Sequence, residues 1–229
     1  MGTMMFLRDY AVRRFVEGAR RLNRLKTPMD VVLETAELYG FPCHHMAALD
    51  VFARMGLINT RDFEPRCDYL ECWEIDPKII PWLRRFVPRA TVREGDSIAA
   101  TRERRHARSH YDLIVLDNPP CLFGHGYCEH FDHFPDILDY GAPRCVVAFD
   151  IIPDLRNANS GSPGEPYFEQ WRQRRREFYP GSDGVTVPVD HAREVYRTMM
   201  ISRGFRVVGE TLVPRNRMVT FLGYFLERP

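Results

Sequence analysis

Lysine is almost absent: Lys26 and Lys78 are the only ones among 32 basic side chains, the rest being arginine. An excess of charge of either sign is absent too. The 32 basic groups meet 31 acidic ones for a net charge of +1, so no bulk attraction to a polyanion is expected. No apolar run reaches the roughly 18–20 residues that a membrane-crossing helix needs. Met1–Arg24 carries arginines where a secretory leader has its apolar stretch. A soluble, cytoplasmic chain with no membrane partner is the expectation. The six cysteines include no Cys-x-x-Cys pair, which excludes a disulfide-dense scaffold and favours free thiols in a reducing compartment. Repeats and low-complexity tracts are missing, and nothing in the composition sets an oligomeric state.

What is present describes a globular chain. With 229 residues, 45% of them hydrophobic and 12% aromatic, one sizeable core is expected and disorder is excluded. The arginines cluster in the opening stretch Arg8–Arg24, in Arg102–Arg108 and in Arg172–Arg176. A planar guanidinium suits phosphate and carboxylate, but a solvated face accounts for such clusters as well.

The spacing of Tyr10, Phe15, Leu22 and Leu25 predicts an amphipathic helix over Asp9–Leu25. Thr27-Pro28 reads as an N-cap followed by proline in the first turn of a second helix, which Gly40 ends. Short apolar runs at Ala47–Phe52, Tyr69–Trp73, Ala90–Arg93, Tyr111–Leu116 and Cys145–Ile152 then fit buried parallel strands. A helix opened by Pro77 and stopped by Pro88 joins two of them, and strands that recur with helical connections argue for an α/β domain. Between Pro153 and Pro188 an Asn/Ser/Gly turn cluster and an arginine-rich helix over Tyr167–Tyr179 read as an insertion that projects from the sheet. A helix over Asp190–Arg203 and two strands, Phe205–Val213 and Met218–Leu226, close the chain as an antiparallel pair. The expected organisation is an N-terminal helical cap over residues 1–46 and a main domain over 47–229 that contains the insertion 153–188.

Four signals stand in order at the expected strand ends: Asp50-Val51-Phe52-Ala53-Arg54-Met55-Gly56, Glu74, Gly95-Asp96-Ser97 and Asp117-Asn118-Pro119-Pro120. In open α/β sheets, ligands bind outside the carboxyl ends of the strands where strand order reverses, and there these four would meet. Glycine at position 56 lets a backbone approach a ligand closely. Glu74 can accept hydrogen bonds from both hydroxyls of a ribose, whereas its competitor Asp76 precedes Pro77 and reads as a helix cap. Asp96 can accept from an exocyclic amine, with the Ser97 and Ile98 amides beside it. Two consecutive prolines after a buried strand make a rigid turn that can aim the Asn118 side chain and the Pro119 carbonyl at one point.

This ordered set resembles the class I S-adenosylmethionine-dependent methyltransferases. The resemblance spans roughly Ala47 to Ile152, with Phe205–Leu226 matching the family's closing hairpin. Its Asp-x-Phe-Ala-x-x-Gly and Asn-Pro-Pro elements look most like the enzymes that methylate amino nitrogens. The resemblance implies an α/β fold: a seven-stranded, mostly parallel Rossmann-like methyltransferase sheet with an antiparallel C-terminal hairpin, N-terminal helices and a helical insertion covering the active site. It also implies S-adenosylmethionine as donor, held by Asp50, Phe52, Gly56, Glu74, Asp96, Ser97 and Asp117. The acceptor nitrogen would be aligned by Asn118, Pro119 and Pro120. Arg54 stands where the family carries glycine, and Cys121 where an aromatic residue follows to stack on the acceptor.

The loop from Cys121 to His133 also holds His125, Cys128 and His130. Imidazole and thiolate could ligate a transition metal, yet no second chelating pair with zinc-site spacing exists, so no metal is expected. A substrate-contacting loop is preferred, in which His125, His130 or His133 takes the proton that the acceptor releases. Cys43-His44-His45 could meet this loop in space. The function expected is methyl transfer to a nitrogen of a small molecule. The small net charge and the missing stacking aromatic count against a nucleic-acid base as acceptor. The alternatives are that base N-methyltransferase and an inactive relative of the fold whose arginines bind a partner.

Overall fold

A computed structural model describes residues 26–57, 59–117, 129–157 and 163–229. The helix expected over Asp9–Leu25, the Asn118-Pro119-Pro120 turn, Cys121, His125 and Cys128 lie outside the described residues. Seven strands form one sheet: β1 (Met46–Asp50), β2 (Cys67–Glu74), β3 (Thr91–Glu94), β4 (Tyr111–Leu116), β5 (Gly141–Ile151), β6 (Arg206–Pro214) and β7 (Thr220–Glu227). Their spatial order is β3-β2-β1-β4-β5-β7-β6. Parallel pairing joins the first five, and β7 runs antiparallel to both β5 and β6. Strand order reverses between β1 and β4, where Asp50 pairs with Cys72 on one side and Val115 on the other. The carboxyl ends of β1, β2 and β4 therefore open onto one crevice.

Both faces of the sheet's centre are covered, which is why β1, β4 and β5 carry long apolar runs, whereas the edge strands β3 and β6 are partly exposed. Helix α1 (Pro28–Leu38) starts at Thr27, whose hydroxyl accepts from the Asp30 amide at 3.2 Å while the Asp30 carboxylate accepts from the Thr27 amide at 2.9 Å. It ends before Gly40, whose φ of +77° suits glycine. Its buried Met29, Val32, Leu33 and Ala36 join Ala48, Val146, Phe221 and Phe225 on one face. On the other, Leu49, Ile114, Leu116 and Phe149 pack with Phe168, Trp171 and Tyr196. Among the described residues no helix is long and apolar enough to cross a membrane.

The remaining helices are α2 (Thr60–Phe63), α3 (Ile80–Phe86), α4 (Ser97–Arg102), α5 (Glu129–His133), α6 (Pro166–Phe178) and α7 (Val189–Ser202). The described part of the insertion does not project. Phe168 and Trp171 of α6 and the following Tyr179 are buried in the main core. Arg175, 2% exposed, donates from Nε to the Gly184 carbonyl at 2.7 Å and from Nη2 to the Ile152 carbonyl at 2.8 Å. An arginine-rich composition suggested a solvated helix, but its apolar positions fall on one stripe and that stripe is docked.

Candidate functional site

Asp50 closes β1 and is 1% exposed. The Thr60 hydroxyl donates to its Oδ2 at 2.6 Å and the Phe52 amide to its Oδ1 at 3.2 Å. Burial lifts its carboxyl to about 7 despite these hydrogen bonds, with Asp117 and Glu74 adding repulsion. The loop that follows turns through Arg54 at φ +47° and Gly56 at φ +71°. A Cβ on Gly56 would lie 2.2 Å from Val87 Cγ2 and 3.1 Å from Leu83 Cδ1. The end of α3 therefore also requires glycine at this position, which lines the cavity at the end of β1. Arg54 holds a left-handed conformation that costs a side chain about 1–2 kcal/mol.

Glu74 ends β2, buried, with Oε1 accepting from the Asp76 amide at 2.7 Å. Burial raises its pKa, and the nearby charge of Arg54 opposes the rise. Asp76 itself accepts from the Lys78 amide at 2.9 Å in the turn before α3; it does not cap that helix as expected, because the helix starts at Ile80 with Ile79 at its N-cap. Ile75, next to Glu74, leaves 55% of its surface in solvent.

Asp96 caps α4, with Oδ1 accepting from the Ile98 amide at 2.8 Å and the Ala99 amide at 3.3 Å. The Ser97 side chain is buried, with Oγ 3.3 Å from His133 Nε2. From there a buried polar chain continues: His133 Nδ1 to Thr101 Oγ1 at 3.1 Å, Thr101 Oγ1 to His106 Nε2 at 2.9 Å, and His106 Nδ1 to Glu71 Oε1 at 3.4 Å. Burial works to raise Glu71, but hydrogen bonds from His106, Tyr111, Trp73 and the Ala107 amide prevail and hold it at about 2. Phe52, half-buried, stands edge-on to the His133 ring at 5.0 Å.

His130 and His133 do share α5, but neither is placed to take a proton from an acceptor. Burial pushes His130 down to about 3 and His133 well below the ordinary histidine range, and His130 Nε2 lies 2.7 Å from the Tyr196 hydroxyl. His44 and His45 lie on Glu37 and Asp68 at the amino end of β1, opposite the crevice, and do not meet α5. Among the described residues no group of three His, Cys, Asp or Glu side chains is placed to hold a metal.

Asp117, just beyond β4, is held from two sides. Asn59 Nδ2 donates to its Oδ2 and Arg215 Nη1 to its Oδ1, each at 2.6 Å. Asp50, Phe52, Arg54, Asn59, Asp117 and Arg215 line a cavity of about 60 Å³ at the reversal point. Sequence reasoning missed Asn59, Thr60 and Arg215. The first two sit in an unremarkable stretch, and Arg215 lies 98 residues from its partner in a turn read only as a connection.

No protein-family model matches the sequence, and no curated protein matches it. Solved structures do match. The N-methyltransferase NodS from Bradyrhizobium japonicum WM9 superposes with a TM-score of 0.51 at 10% identity, over 86% of this chain and 94% of that one. Magnesium protoporphyrin IX methyltransferase (ChlM) from Synechocystis PCC 6803, with bound S-adenosylhomocysteine, gives 0.52 at 12% identity over 88% and 82%. A Pyrococcus horikoshii protein, provisionally named an RNA methyltransferase, gives 0.51 at 13% identity over 87% and 81%. The likeness is one of fold. It agrees with the sheet order and with the single reversed strand β7.

Proposed function

We propose that this protein is an S-adenosylmethionine-dependent methyltransferase that transfers methyl to a nitrogen of a small molecule. The observation that carries the reading is the convergence of Asp50, Glu74 and Asp117 from the ends of β1, β2 and β4 on the reversal point of a sheet with this strand order. The residues fit the donor. The Glu74 carboxylate suits a ribose diol, exposed Ile75 beside it offers an apolar face to the adenine, and Asp117 supplies negative charge for a cationic ligand.

S-adenosylmethionine supplies an activated methyl group when bound. The chain's own task is alignment. Asn118, Pro119 and Pro120 would align the acceptor's amino group with the methyl, and His125 would take the released proton. Support for a small acceptor comes from arginines of α6 already paired with other groups of the chain. Arg174 pairs with Asp132 at 2.7 Å, Arg172 with Glu169 at 2.9 Å, and Arg175 is buried on carbonyls.

The test is transfer of labelled methyl from S-adenosylmethionine into a cell extract separated into small molecules and polymers. Label is expected among the small molecules, and Asn118→Ala should lower it by orders of magnitude with donor affinity nearly constant. Label in RNA or DNA, or full transfer by Asn118→Ala, contradicts the reading.

A further inference from the structure

The geometry points to Arg215 and Asn59 as a clamp for the amino-acid end of the donor, Arg215 taking its carboxylate and Asn59 its ammonium. This assignment rests on the donor reading above and adds residues that no part of the ordered sequence set contains.

Direction comes first. Glu74 on β2 and Asp96 after β3 lie on one side of β1, and β4 lies on the other. A nucleoside held by Glu74 leaves its amino-acid arm to run across β1 toward β4, a span of two strand spacings or roughly 10 Å. That path ends at the cavity lined by Asn59, Asp117 and Arg215.

The polar inventory there matches a zwitterion. Asn59 is 2% exposed, and because its Nδ2 must donate to the Asp117 carboxylate, the orientation of the amide is fixed. Its Oδ1 is left as a buried acceptor with no partner among the described residues, an arrangement that costs free energy unless a donor arrives. An ammonium group is such a donor. Arg215 brings the complementary charge. Its side chain is 12% exposed, and Nη1 makes its hydrogen bond to Asp117. A guanidinium has five N–H donors in a planar fork, and the remainder suit a carboxylate.

The fork is also held ready. The Arg215 amide donates to the Val219 carbonyl at 2.9 Å, and Asn216 Oδ1 accepts from the Met218 amide at 2.7 Å and the Val219 amide at 2.8 Å, which fixes the turn between β6 and β7. Burial works against the charge of the guanidinium, but Asp117 and, behind it, Asp150 on β5 outweigh it and raise its pKa. The hairpin that closes the sheet thereby delivers one cation to a donor site built otherwise from the first half of the chain.

Calorimetry with two probes tests the assignment. S-adenosylhomocysteine carries the amino-acid arm, and 5′-methylthioadenosine keeps the nucleoside and lacks the arm. The full-length wild type should prefer the first by about 10- to 100-fold, the scale of charge-assisted hydrogen bonds. Arg215→Gln should erase most of that preference by weakening S-adenosylhomocysteine while leaving 5′-methylthioadenosine within about twofold. Arg215→Lys keeps the charge and loses the fork, so it should lose part of the preference; it also serves if the glutamine variant fails to fold. Equal weakening of both probes, or an unchanged preference in the folded variants, overturns the clamp with the donor reading intact. Failure of the wild type to bind either probe sinks both.

Discussion

At the scale of single residues, the site is dominated by carboxyl groups removed from water. Asp50 has a folded pKa of about 7 against an ordinary value of 3.8, so the folded state binds a proton that the unfolded chain has lost. Stability linked to this group is greatest in acid and falls as pH rises from about 4 through 7. Asp50→Asn keeps an acceptor for the Thr60 hydroxyl and removes the titration. Its melting temperature, measured across this range, should therefore gain on the wild type as pH rises and level off above 7. A difference independent of pH would contradict the burial of an ionisable Asp50. Arg215 belongs to the same scale and shows what one sequence withholds. Asp50, Glu74 and Asp117 were legible because each ends an apolar run, a local pattern, whereas Arg215 and Asn59 reach the cavity only through the sheet's topology.

At the scale of elements, the strands were readable and some of the connections were not. Tyr111–Leu116 stands as expected because burial on both faces leaves an uninterrupted apolar run. Helix α6 was misplaced because arginines outnumber its docking residues, and a composition does not reveal that Arg175 finds carbonyls at Gly184 and Ile152. Gly56 was read for its loop, but the sequence did not show its packing against Val87. Gly56→Ala should destabilise the protein by about 2–4 kcal/mol, combining the clash with Val87 and a left-handed φ. An unchanged denaturation midpoint would refute that packing. Helix α5 is fastened to α7 by His130 and Tyr196 and to α4 by His133. A histidine with a lowered folded pKa makes stability rise with pH up to its unfolded value of about 6.5, so acid loosens this seam. His130→Gln, which can still bond Tyr196, should gain in melting temperature relative to wild type as pH falls from 7 to 5. A relative loss over that interval would contradict a neutral His130.

At the scale of the whole molecule, the layout separates two jobs. Strands β1 to β4 gather the acids at one crevice, while β5, β7 and β6 and the docked helix α6 brace that half and send Arg215 back into it. The small-molecule reading draws on the net charge of +1 and on α6, whose arginines pair with Asp132, Glu169 and backbone carbonyls. Association with RNA or DNA, read by fluorescence anisotropy, should be weak and indifferent to sequence, and should vanish as salt rises. A tight, saturable complex would contradict the small-molecule reading. A donor seated across the ends of β2, β1 and β4 is common to every role proposed for the crevice. Calorimetric titration of the full-length protein with S-adenosylhomocysteine, beside Glu74→Ala, tests this most directly. Saturable binding at one molecule per chain, weakened by about 1–3 kcal/mol in the variant, is the predicted result; no binding to wild type, or equal affinity in Glu74→Ala, would contradict it.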